Sequence, residues 1–150
     1  MARILLLGGS GYFCRQLLPE LLKSLPREWE FVIADYEYRA ARKMAKKLGE
    51  RVTARMVDVS DPAAMERLLE GADAGVNFVG PWYRFGKFVR EAFRRAGVSL
   101  IAVNPSSFRE SHGNAGGPPF VGGVSFVPAV PLIFREVFGP EKGVSVSVRV

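Results

Sequence analysis

The sequence predicts an α/β fold, doubly wound, with a mostly parallel sheet and an extension strand near the C-terminus. Three observations predict it. Short apolar runs alternate with helix-period segments five times over the first 103 residues. The first run, Ile4, Leu5, Leu6 and Leu7, is too uniformly aliphatic for a one-sided strand and suits one buried on both faces. A glycine-rich turn then joins that run directly to a helix.

Residues 4–7 form the first predicted strand, and Gly8, Gly9, Ser10 and Gly11 form the turn. The helix that follows is expected to face inward with Phe13, Leu17, Leu18, Leu21 and Leu22. A strand, a glycine turn and the first turn of a helix aim unpaired amides and the positive end of a helix dipole at one point, which suits a phosphate. The small-residue pattern is Gly8-x-x-Gly11-x-x-Cys14, a dinucleotide fingerprint whose third glycine has become cysteine. That third position serves helix-to-strand packing, so Cys14 is read as a buried small residue and the phosphate reading is retained.

Pro26 ends the first helix, and residues 31–34 make the second strand, stopping at Asp35. A carboxylate there, about twenty residues past the glycine turn, can accept bonds from the adenosine ribose. Residues 38–48 are helical and close at Gly49, with Arg39 and Arg42 near the start. Asp35 favours NAD while an arginine nearby can take the extra phosphate of NADP, so the choice of NAD or NADP stays open at this point. Residues 52–59 are the third predicted strand, and Asp61-Pro62 opens a helix over 63–69 that Gly71 ends. Residues 74–79 are the fourth strand, 85–96 the next helix with Gly97 after it, and 98–103 the fifth strand. Right-handed crossovers then give a strand order 3-2-1-4-5.

Beyond the fifth strand come Asn104 and a glycine- and proline-rich stretch, residues 111–123. A short helix is expected over 132–138 and a strand over 143–150, where Val144, Val146, Val148 and Val150 alternate with Ser145, Ser147 and Arg149. A strand with one apolar face invites pairing, with its own sheet or with another copy, so a homodimer through it is a candidate assembly. Residues 1–108 are expected to form the nucleotide-binding core, and 109–150 either an extension of it or the remnant of a second domain.

The net charge is +6, and its basic residues, including Arg39, Arg42, Lys43, Lys46, Lys47, Lys87, Arg90, Arg94 and Arg95, lie on helices as solvated faces. No recognition-helix, zinc-finger or basic-zipper pattern accompanies the charge, which disfavours nucleic acid as the partner. No apolar run approaches the ~20 residues of a membrane span. A single cysteine excludes an internal disulfide, and the absence of a signal-like segment makes the cytoplasm the expected compartment. No metal site is expected. His112, the only histidine, falls in the glycine-rich loop and is read as solvated; Tyr83 is read as packing with Trp82 and Phe85. No catalytic residue is assigned.

Four segments in order, GGSGYFC at residues 8–14, IAD at 33–35, VDVSDP at 57–62 and VNFVGPWYRFG at 76–86, resemble the amino-terminal nucleotide-binding domain of the saccharopine dehydrogenase family. The resemblance covers roughly residues 3–104, with a fainter echo at 120–137. It implies a Rossmann-like domain of an NAD(P)-dependent oxidoreductase. It further implies that Gly8, Gly9, Ser10, Gly11, Tyr12 and Phe13 surround the pyrophosphate. Asp35, with Tyr36 beside it, and Arg39 would face the adenosine ribose, Asp58 and Val59 the adenine, and Val79, Gly80 and Pro81 the nicotinamide ribose. Two departures accompany it: Asn104 stands where the family usually has a carboxylate, and residues 111–123 replace a helix and a sixth strand. The family also continues for a few hundred residues more, so a truncated form is one reading of the length. An active enzyme would add a small-molecule substrate; the alternative is a catalytically silent dinucleotide-binding or assembly protein.

Overall fold

The computed structural model describes residues 2–103 and the backbone of residues 120–121. Strands β1 (Arg3–Leu7), β2 (Glu30–Asp35), β3 (Val52–Met56), β4 (Ala74–Asn77), β5 (Ser99–Ala102) and β6 (Phe120–Val121) form one sheet in the order β3-β2-β1-β4-β5-β6. All neighbours run parallel. The chain crosses over through α1 (Tyr12–Ser24), α2 (Tyr38–Leu48), α3 (Pro62–Leu69) and α4 (Trp82–Ala96). This is the doubly wound order predicted, with one strand more: Phe120 and Val121 pair with Leu100 and Ile101 where the sequence suggested a connection without a sixth strand. The predicted helix over 132–138 and strand over 143–150, with Asn104 and His112, lie outside the described residues.

Because side chains alternate across a strand, each aliphatic run divides between two cores. Ile4, Leu6, Phe31, Ile33 and Val76 pack under Leu17, Leu18 and Leu21 of α1 and Ala41 and Ala45 of α2. Leu5, Leu7, Val32, Ala34 and Leu100 pack under Met65, Leu68 and Leu69 of α3 and Val89 and Phe93 of α4. Full burial of each such aliphatic side chain is worth about 1.5–3 kcal/mol, which is why β1, buried on both faces, anchors the sheet. Arg51 closes the end of the α1–β2 connection, donating to the carbonyls of Leu22 (3.0 Å), Pro26 (2.7 Å) and Trp29 (3.1 Å).

Several boundaries differ from expectation for local reasons. Strand β3 stops at Met56 rather than 59: the Val57 amide makes the last ladder bond, to the Asp35 carbonyl, and Asp58 then folds into a turn with Ser60. Strand β4 stops at Asn77 rather than 79, because the buried Asn77 amide group bonds both the NH and the carbonyl of Val79. Helix α4 begins at Trp82, three residues early, with Pro81 at its N-cap. It ends at Gly97 in the left-handed region (φ 68°), where Gly97 and Val98 amides return to Arg94 and Phe93 carbonyls. Phe13, expected inside, is 56% exposed, and the inward position is taken by Cys14. Tyr83 is not packed with its aromatic neighbours but 85% exposed, while Trp82 is buried. The Trp82 indole occupies the space a side chain at Gly86 would fill.

Gly75 on β4 lies under the Phe93 ring so closely that an added Cβ would come within 2.4 Å of Cζ. Gly75→Ala is therefore expected to destabilise the fold by roughly 1–3 kcal/mol in denaturant unfolding, as overpacking does. Phe93→Leu added to it should recover part of that loss, since two residues in contact couple non-additively.

Candidate functional site

Helix dipoles and strand ends converge at the carboxyl edge of the sheet, between β1, β2 and β4. The turn after β1 is built by internal bonds. The Gly8 amide donates to Ala34 carbonyl (2.8 Å) and so extends the β1–β2 ladder by one residue; the Gly11 amide returns to Gly8 carbonyl (3.2 Å). Ser10 donates twice to Asp35 Oδ2, from its amide (3.0 Å) and its hydroxyl (2.6 Å), and Arg15 Nε holds the Ser10 carbonyl at 3.1 Å. The Gly8, Ser10 and Gly11 amides thus bond within the protein, and the turn's remaining amide, that of Gly9, has no such bond among the described residues. The first turn of α1 adds to it. The Arg15 amide is the first to bond within the helix, to Gly11, and no side chain caps the helix start. The amides of Tyr12 and Phe13 consequently point out of the helix end with the dipole behind them.

The three glycines are required for different reasons. Gly8 has φ +70°, and a Cβ there would lie 3.0 Å from the Val79 amide nitrogen, so the ends of β1 and β4 meet with no room between them. Gly9 is buried, and its Cβ would come within 2.8 Å of both Ile33 Cγ2 and Leu6 carbonyl oxygen. Gly11 has an ordinary extended backbone (φ −74°, ψ 170°), and its Cβ would meet only the Gly8 oxygen, at 3.3 Å. Its dihedral angles do not demand a glycine, and a Cβ there would press only on that one oxygen among the described residues. The missing side chain also leaves the start of α1 open to close approach.

Around this point the structure brings together Gly8, Gly9, Ser10, Gly11, Asp35 and Val79. Tyr36 is exposed, at the tip of β2, and Arg39 is exposed in the first turn of α2. Asp58, half-buried after β3, accepts from the Ser60 hydroxyl (2.6 Å) and amide (2.9 Å), bonds that hold its carboxyl below the usual carboxylate range. Val59 is buried in the α3–α4 core and lines the groove between those helices, away from the strand-end corner. Gly80 and Pro81 are exposed and joined by a cis peptide bond, between β4 and α4. Cys14 is fully buried, and burial, with the Asp35 charge adding to it, pushes its thiol up to about 12.

Two residues outside the sequence reading belong to the same edge. Asn77 is the one polar side chain in the buried core among the described residues, and its two bonds to Val79 shape the corner that meets Gly8. An asparagine inside the apolar run AGVNFV was the available signal. Met56, at the end of β3 opposite Asp35, is 64% exposed, and nothing in its sequence surroundings marks it. Two concavities lie away from this corner, a groove of about 850 Å³ between α3 and α4 and one of about 400 Å³ between α2 and β3. Among the described residues no group of three His, Cys, Asp or Glu side chains could hold a metal ion.

A parallel doubly wound sheet with an uncapped helix start beyond a glycine turn, at the point where strand order reverses, defines a Rossmann-type NAD(P)-binding domain. The chain belongs to the family of the saccharopine dehydrogenase NADP binding domain, whose model matches residues 4–113. Saccharopine dehydrogenase (L-Glu forming) from Saccharomyces cerevisiae superimposes with a TM-score of 0.59 at 22% identity, over 68% of this chain and 21% of that one. Triphenylmethane reductase from Citrobacter sp. gives 0.57 at 21% identity, over 67% of this chain and 36% of that one. Actinorhodin polyketide ketoreductase, solved with NADPH, gives 0.56 at 14% identity, over 73% of this chain and 55% of that one. At these identities the likeness is one of fold, and the chain spans less than two thirds of each. No curated protein sequence matches it.

Gly9→Ala is expected to lower the melting temperature by several degrees, because about 1–3 kcal/mol of overpacking is spread over a domain of this size, whereas Gly11→Ala should leave it nearly unchanged. Thermal unfolding of the two variants side by side checks the contrast. Cys14 should resist iodoacetamide in the native chain at pH 8 and react once the chain is unfolded, which mass spectrometry of the alkylated protein reads directly.

Proposed function

We propose that this chain holds NAD(H) or NADP(H) across the ends of β1, β2 and β4 and positions its nicotinamide for hydride exchange with a small organic substrate. The observation that carries the reading is Gly11, a glycine that its own dihedral angles do not require and whose Cβ would press only on the Gly8 oxygen among the described residues, set at the uncapped start of α1. The residues present therefore fit the group: an unfilled space beside exposed helix amides suits a diphosphate. In this arrangement Tyr12 and Phe13 amides bind the pyrophosphate, while Gly8, Gly9 and Ser10 shape the turn that places them. Asp35, Tyr36 and Arg39 face the adenosine ribose and Asp58 the adenine side. Val79, Gly80 and Pro81 form the wall at the nicotinamide ribose, which Asn77 keeps in place from beneath. When bound, the cofactor supplies hydride chemistry; the protein contributes orientation and exclusion of water.

The family membership supports oxidoreductase chemistry as the activity and a reducing, cytoplasmic setting, and the alternation of valines in the sequence of residues 143–150 supports a homodimer. No helix among the described residues is long and apolar enough to cross a membrane. Binding without turnover is the second reading, and what favours it is that residues 78–83, at the nicotinamide end, carry no histidine or carboxylate. Loss of reduced-nicotinamide absorbance with a panel of amino-acid-derived imines separates turnover from binding alone.

Calorimetric titration with NADH and NADPH is expected to show binding by the wild-type chain and its loss, by at least about tenfold in affinity, in Gly11→Val, with the fold retained. A Gly11→Val variant that binds like wild type would place the ligand elsewhere.

A further inference from the structure

We propose that this chain takes NAD(H) in preference to NADP(H), and that Ser10 is a positioning residue that enforces the preference by pinning Asp35. The inference rests on the cofactor reading above and departs from the family description, which names NADP. Asp35 Oδ2 accepts from the Ser10 amide at 3.0 Å and the Ser10 hydroxyl at 2.6 Å, and Oδ1 accepts from the Glu37 amide at 3.0 Å. An ionised carboxylate offers roughly four acceptor positions and no donor, so the three bonds leave one position, on Oδ1. A ribose 2′-hydroxyl has a proton to place there. A 2′-phosphate would instead set its negative charge against that of the carboxylate.

To admit a 2′-phosphate, the carboxylate would have to turn its charge aside. Asp35 cannot do so without breaking its bonds to Ser10 and Glu37. Glu37 follows as a second acidic residue, so a 2′-phosphate meets two carboxylates there; Arg39, exposed on α2 and in no ion pair with either, is a cation that opposes them. Ser10 therefore acts on selectivity through Asp35, and links the turn that shapes the phosphate end to the residue that reads the ribose.

The test is calorimetric titration of NADH and NADPH into the wild-type chain, Ser10→Ala, Ser10→Thr and Asp35→Asn, with a melting curve for each. The wild type is expected to bind NADH at least about tenfold more tightly than NADPH. Ser10→Ala should narrow that ratio several-fold by gaining affinity for NADPH, Ser10→Thr should keep it, and Asp35→Asn, which removes the charge but little volume, should abolish it. The ratio is insensitive to a general loosening of the fold, which would weaken both cofactors alike. Equal or tighter binding of NADPH by the wild type overturns the proposal while leaving the cofactor reading intact. An unchanged ratio in a folded Ser10→Ala overturns the part given to Ser10. Failure of both cofactors to bind the wild type overturns the cofactor reading itself, and the proposal with it.

Discussion

The ends of β1 and β4 touch without an intervening side chain, and the site depends on that contact. Gly8 makes it possible from one side, by its positive φ and missing Cβ, and Val79 receives it from the other. Asn77 fixes Val79 by bonding its NH and its carbonyl, so the two strand ends are held in register by one buried amide. Were either strand end displaced, the start of α1 would no longer sit at the mouth of the crevice. The two cores on either face of the sheet supply the rigidity, since every residue of β1 from Ile4 to Leu7 is buried.

The glycine turn works differently from the simplest picture of a phosphate loop. Three of its four amides are consumed in building it, on Ala34, on Gly8 and on Asp35, and the donors left for a ligand are that of Gly9 and those of the helix that follows. This division explains why three glycines close in sequence have unequal roles. Two are demanded by close neighbours within the protein, and the third meets only the Gly8 oxygen, at 3.3 Å. It also explains how the fingerprint tolerates cysteine at position 14: the thiol fits the α1 core, fully buried, well behind the donors.

Much of this was legible in the residues. Uniform aliphatic runs marked strands covered on both faces, glycines and prolines marked most element ends, and the alternation of strand and helix gave the sheet order. What was not legible depended on contacts distant in sequence. Phe13 has the right period to face inward, but in the first turn of α1 it is Cys14 that is buried and Phe13 that is exposed. Asn77 ends β4 by bonds from its side chain, a competition with the ladder that composition does not reveal. The tie between Ser10 and Asp35 joins residues 25 apart, and only the parallel pairing of β1 with β2 brings them together.

The most direct measurement is the amide nitrogen–proton NMR spectrum of the chain through a titration with NADH. The account predicts that the Tyr12 and Phe13 amides shift strongly and saturate together, while those of Gly8 and Gly11, bonded within the protein, move little. Large shifts at Gly8 and Gly11 with Tyr12 and Phe13 unmoved would contradict it.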